Sequence, residues 1–276
     1  MNRVLTILGM ASLLFFHTSC DDSIMELKSH AAETRTLAVD KKVSALIQQA
    51  RKGDAEAYKS LAQCYKDGDG VEKSWFNMMC MYLAYCDRTG QDLEEIIKTF
   101  DADDIFIVIS DIIDKSSNDE NVNARLEQLK QMSPAEAMAV EAAREAILAK
   151  DRASAMSLMR EAEEQGSEFA VIYQAAYYKE TKDTVALTEC LLRIADKYPF
   201  YYLFLGDIYA DKYQETNDLS YIKRAIECYY NADEYGMLVP KYAYILYRIY
   251  NNFGKDGLLQ YDEQEMERLK MLAMGI

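Results

Sequence analysis

Only two histidines occur in the 276 residues, His17 and His30, and both precede the region that patterns as a folded body. A Ser-His-Asp triad, a Cys-His pair or a multi-histidine metal site therefore cannot be assembled from residues 41–276. Proline (3) and glycine (11) are scarce, which argues against a many-turned β-sandwich and against a large disordered fraction. None of the six cysteines forms a Cys-x-x-Cys pair, so a zinc ribbon is disfavoured and no metal or other cofactor is expected. Basic residues are the minority charge, 31 against 46 acidic for a net of −15, and such a field repels nucleic acid. Beyond the first twenty residues nothing approaches the run of about 18 apolar residues that a membrane-spanning helix wants.

What is present starts with an address. "MNR" is a short basic start, "VLTILGMASLLFF" an apolar run, and "HTSC" brings small residues up to Cys20. Thr18-Ser19-Cys20 resembles the cleavage site of bacterial lipoprotein signals, although His17 stands where that family has an aliphatic residue. The resemblance implies that residues 1–19 are removed and that Cys20 carries palmitate-type acyl chains. The protein would then be a membrane-anchored lipoprotein of a Gram-negative cell envelope, at the periplasmic face or the cell surface. Multi-chain attachment is effectively stable, at about 0.8 kcal/mol per buried methylene. Ordinary secretory cleavage is the alternative. Asp21 and Asp22 follow the anchor, where acidic residues influence sorting, and residues 20–40 read as anchor and tether. Without Arg3 the mature balance is 30 basic against 46 acidic residues, a net of −16, which favours basic or neutral partners.

Self-similarity follows. From Gly53 to Cys86 the chain reads "GDAEAYKSLAQCYKDGDGVEKSWFNMMCMYLAYC". Ala57, Leu61, Ala62 and Tyr65 fit a small-x-x-x-Leu-Gly-x-x-Tyr first helix with alanine for the glycine; Gly68, Gly70 and Val71 fit its loop; Met81, Tyr82 and Tyr85 fit a second helix loosely. This resembles the Sel-one-like repeat, a relative of the tetratricopeptide repeat. Second-helix patterns recur at Ala155, Leu158, Met159 and Ala162 before Gly166, and at Ala225, Cys228, Tyr229 and Ala232 before Gly236. First-helix patterns recur from Ala137, Ala170, Tyr201 (with Leu205, Gly206 and Tyr209) and Tyr242 (with Leu246 and Tyr250). Residues at i, i+4, i+5 and i+8 share one helix face, and a small one there admits a neighbouring helix. The resemblance implies an all-α fold, a right-handed superhelix or solenoid of antiparallel helix pairs whose stacking builds a continuous core. It divides into an N-terminal repeat region, residues 41–132, and a C-terminal one, residues 133–276.

Two local readings concern helix type and helix start. "IFIVI" is β-branched enough to form a strand elsewhere, but the surrounding stretch reads as a helix capped by Asp101 or Asp103. Ser133-Pro134 with Glu136 marks a helix start.

"YKDGDGVEKSW", Tyr65 to Trp75, could be a calcium loop, a phosphate loop or a turn between helices. Numbered from Asp67, positions 5 and 12 of a calcium loop hold Val71 and Met78, and Asp67 with Asp69 would repel phosphate, so the turn is expected. The cysteines of the folded part, Cys64, Cys80, Cys86, Cys190 and Cys228, fall in apolar stripes as structural thiols, with a disulfide as the alternative in an exported chain. Adjacent carboxylates such as Glu94-Glu95 and Glu163-Glu164 diverge on a helix and read as solvated faces.

Tyrosine is the one clear excess, 21 residues concentrated near the C-terminal end. Tyr201, Tyr202, Tyr230 and Tyr247 lie beside the packing positions and are the candidate partner-binding residues. The expected function is a lipid-anchored protein-interaction scaffold or adaptor for an envelope protein or peptide, and not an enzyme. The alternatives are an envelope enzyme or carbohydrate-handling accessory with an acidic, tyrosine-lined groove, and a tethered spacer.

Overall fold

The computed structural model describes residues 39–114, 120–253 and 262–275. The expected signal, Cys20, Asp21, Asp22, the tether up to residue 38 and both histidines lie outside the described residues.

Every element among the described residues is helical, so the fold is all-α. In chain order the helices are α1 (Lys41–Ala50), α2 (Ala55–Asp67), α3 (Trp75–Thr89), α4 (Leu93–Ile97), α5 (Ile105–Asp114), α6 (Glu120–Met132), α7 (Pro134–Ala149), α8 (Met156–Glu164), α9 (Glu168–Glu180), α10 (Thr184–Ile194), α11 (Tyr201–Thr216), α12 (Leu219–Glu234), α13 (Pro240–Phe253) and α14 (Glu263–Met274), with one 3-10 turn at Arg152–Ala155. The "IFIVI" segment is inside α5, with Phe106, Val108, Ile109 and Ile112 buried. That helix begins directly after Asp104, one residue beyond the expected cap, and the Asp104 carbonyl accepts from the Val108 amide.

Side-chain caps set many of the starts. Asp40, Asp54, Ser74, Ser133, Ser167 and Asp218 each accept an amide of the first turn that follows, worth about 1 kcal/mol apiece. Pro134 occupies the first helical position, where its missing N–H costs nothing. The "YKDGDGVEKSW" stretch is the turn between α2 and α3: Gly68 ends α2 at φ +75° and the Ser74 amide returns to the Tyr65 carbonyl. Gly70 has a steric reason as well. A Cβ there would stand 2.4 Å from Cγ of Asp40, whose amide donates to the Gly70 carbonyl at 2.8 Å.

The chain forms two compact units. The central unit takes Ile96–Arg193; the split unit takes the described parts of Ser29–Glu95 and Ile194–Ile276. The helix start at Ser133-Pro134 falls inside the central unit.

In the central unit α5 packs on α6 and α7, α6 on α7, and α8 and α9 on each other and on α7. Its junction is a buried charge. Glu136 of α7, 3% exposed, accepts from the Ser167 hydroxyl (2.6 Å) and the amides of Glu168 (2.9 Å) and Phe169 (3.1 Å), placing a carboxylate on the N-terminus of α9. Ala155, Met159 and Ala162 of the second-helix pattern are buried, but Leu158 is 40% exposed.

In the split unit α1 packs on α2 and α2 on α3; α11 packs on α12, α12 on α13 and α13 on α14. The two runs meet through Phe76, stacked on Tyr201 at 5.1 Å and edge-on to Tyr198 at 5.5 Å, and through the Asn77 amide, which donates to the Lys197 carbonyl at 3.1 Å. Repeat-pattern positions line these seams: Leu61, Ala62, Tyr65, Leu205, Tyr229 and Leu246 are all fully buried. Gly206 is the closest approach. The Tyr229 ring covers it so tightly that a Cβ would meet Cε1 at 2.3 Å, and the Tyr229 and Tyr242 hydroxyls both donate to Asp207, at 2.8 and 2.9 Å.

Candidate functional site

The densest polar constellation in the split unit gathers around Asp233, the last-turn carboxylate of α12 and itself 0% exposed. Two arginines from opposite ends of the sequence meet it there and compensate the buried charge. Arg51, which ends α1, donates from Nε (3.1 Å) and Nη2 (2.9 Å) to Oδ2. Arg268 of α14 donates from Nη2 to Oδ2 (2.8 Å) and from Nη1 to Oδ1 (3.2 Å), and also to the Arg51 carbonyl at 3.2 Å. Arg268 reaches Glu265 as well, at 2.7 Å from Nε and 2.6 Å from Nη2. Burial disfavours the Arg268 charge, but its bonds to Glu265 and Asp233 prevail and hold its pKa above the ordinary value. Nearby, the Tyr58 hydroxyl donates to the Ala50 carbonyl at 3.1 Å, and the Arg88 guanidinium lies over the Tyr58 ring at 5.7 Å.

The four candidate tyrosines separate. Tyr201 is 1% exposed and stacked on Phe76, which commits its ring to the core and corrects its expected place on a binding surface. Its position at the start of α11 turns it onto the α3 side of the unit, where an aromatic neighbour fills the seam. Tyr202 is half-buried and donates to Asp196. Tyr230, half-buried on α12, donates to Glu265 at 3.1 Å and meets Tyr250 edge-on at 6.4 Å, which joins it to the arginine cluster. Tyr247 is half-buried on α13. Only Tyr230 therefore belongs to the Asp233 constellation.

Models of known protein families, curated proteins and solved structures give no match to this chain.

The chemistry open to these groups follows from their protonation. Burial, then the hydrogen bond to Asp196, raises the Tyr202 pKa; burial, then the neighbouring Tyr250 and Glu265, raises that of Tyr230. Both stay neutral hydroxyls that donate, and neither is a phenolate base. Burial also pushes Cys190 up to about 11 and Cys228 up to about 12, so these thiols are poor nucleophiles at neutral pH. Cys64, Cys80, Cys86, Cys190 and Cys228 are all free thiols. Among the described residues no group of three His, Cys, Asp or Glu side chains is arranged to hold a metal ion, and no helix is long and apolar enough to cross a membrane. Glu163 is not the free carboxylate of a solvated pair: it takes both Arg193 (2.8 and 2.9 Å) and Gln174 (2.7 Å).

Arg51, Asp233, Glu265 and Arg268 were not distinguishable in sequence from surface charges. No local signal marks them, because the groups that pair with Asp233 come from distant parts of the chain.

Proposed function

We propose that the protein is a lipid-anchored envelope adaptor, a helical-repeat scaffold that holds a basic or neutral protein partner at the membrane surface through an anchor at Cys20. In this reading its helix pairs form a right-handed solenoid of the Sel-one-like kind. The observation that carries it is the seam at Gly206, where a repeat-pattern glycine lies under a repeat-pattern tyrosine and lets α11 and α12 approach closely. Helix pairs built this way bury one face each and leave the other available to partners. The fixed charge network around Asp233 and the neutral tyrosines support a rigid binding body rather than an acid–base centre.

Affinity capture from solubilised envelope, with the mature chain as bait at low and moderate salt, tests this. A reproducible partner that survives moderate salt is the expected result. Retention of nothing, or only of basic proteins lost on adding salt, would leave a charged spacer.

A further inference from the structure

Leu158 occupies a packing position of the repeat pattern yet is 40% exposed, whereas Cys228, at the same place in the later echo, is 7% exposed. The space that a neighbouring side chain would fill is open. Leu158 lines a groove of about 330 Å³ in the central unit, with Pro134, Ala137, Met138 and Ala142 as the rest of its apolar floor. The α7 residues at 134, 138, 141 and 145 succeed one another at helical spacing along one side, and Leu148, 50% exposed, continues that side one turn further.

The rim is charged with one sign in excess. Glu141 and Glu145 line the groove beside the floor, and Lys130, also in its lining, is already drawn to Glu127 at 2.9 Å and more distantly to Glu141 at 3.9 Å. Glu145 makes no ion pair among the described residues. Residues 96–193 hold 11 basic against 19 acidic residues, a net of −8, so the surrounding field adds to the rim.

We infer that this groove is the adaptor's docking site for a basic amphipathic segment of its partner, one apolar side chain seated on Leu158 and Met138 with lysine or arginine beside it facing Glu141 and Glu145. The inference rests on the adaptor reading and names the partner chemistry. The size suits a single anchor side chain, at the lower end of the range for ligand sites, and carboxylates over an apolar floor select cationic from anionic amphipathic segments.

The test uses the full chain in detergent and a set of fluorescent peptides of about twelve residues, each with one central leucine, methionine or phenylalanine flanked three and four residues away by lysine. Matched peptides carry glutamate flanks, or serine in place of the anchor. Lysine-flanked, anchored peptides should bind, and the matched controls should not. Leu158→Ser and Glu145→Lys, both at exposed sites and checked for unchanged helical content, should each weaken binding by about tenfold. Glu145→Lys should also gain affinity for the glutamate-flanked set. Equal binding by wild type and both variants, no binding of any anchored peptide, or self-association of the chain that Leu158→Ser abolishes would overturn the assignment. Envelope proteins captured alike by wild-type and Leu158→Ser baits, with peptides binding both alike, would remove the groove and leave the adaptor reading. Peptides that bind wild type and fail on the variants, with no envelope protein captured by either bait, would keep the groove and remove the adaptor reading.

Discussion

Replacing Gly206 by alanine should destabilise the protein, against the usual direction of that change inside a helix. Glycine to alanine in a helix interior ordinarily gains about 0.8–1.0 kcal/mol. Here the new methyl would stand 2.3, 2.7 and 2.8 Å from Cε1, Cδ1 and Cζ of Tyr229. That ring has nowhere to retreat: it is 0% exposed, lies 5.7 Å from the Tyr242 ring, and is held by its hydroxyl to Asp207 at 2.8 Å. Overpacking costs about 1–3 kcal/mol. Breaking a hydroxyl bond to a carboxylate costs about 1.5–3 kcal/mol more. The expected net loss is about 2–5 kcal/mol, read as a lower midpoint in urea unfolding followed by circular dichroism. In a double-mutant cycle with Tyr229→Leu the two changes should be non-additive by more than about 1 kcal/mol, because they share one contact. A Gly206→Ala protein as stable as wild type, or additive losses, would refute the argument that this glycine is kept for close helix approach.

Further outcomes follow from the buried charges and hydroxyls. Asp233→Asn leaves Arg51 and Arg268 facing a neutral amide and should cost about 3–5 kcal/mol in the same unfolding assay. Glu136→Gln removes the charge from the α9 N-terminus and should cost about 1.5–3 kcal/mol, with faster amide exchange at Glu168 and Phe169 as the local signature. Tyr202, Tyr229, Tyr230 and Tyr242 have folded pKa values raised above 10.0, so their neutral forms stabilise the fold fully below about pH 10. Above that pH the unfolded chain ionises first and stability falls as pH rises; a flat melting temperature between pH 9 and about 11 would contradict the burial of these hydroxyls. With thiols at about 11 and about 12, Cys190 and Cys228 should resist a thiol-specific reagent at neutral pH and react once urea unfolds the chain.

The sequence made the helices and their ends legible wherever a local rule acts alone. Ser133 with Pro134 starts α7, Gly68 ends α2, and Gly166 and Gly236 follow α8 and α12 in left-handed conformations, all from short-range chemistry. Seam positions such as Leu61, Leu205 and Tyr229 were legible because small and large residues recur at fixed helical spacing. What escaped were contacts that depend on distant chain segments. Arg51 and Asp233 are 182 residues apart, and nothing local separates them from a solvated charge. Tyr201 was placed at a surface for the same reason, since the ring that covers it, Phe76, comes from α3. Leu158 went the other way, its pattern predicting a packed side chain that is left 40% exposed.

Cellular fractionation with Cys20→Ser tests the tethered adaptor most directly, following both this chain and its captured partner. The proposal predicts that the substituted chain leaves the membrane fraction and that the partner's membrane-associated share falls with it. A substituted chain that stays on the membrane, or a partner whose distribution is unchanged when the chain is released, would contradict it.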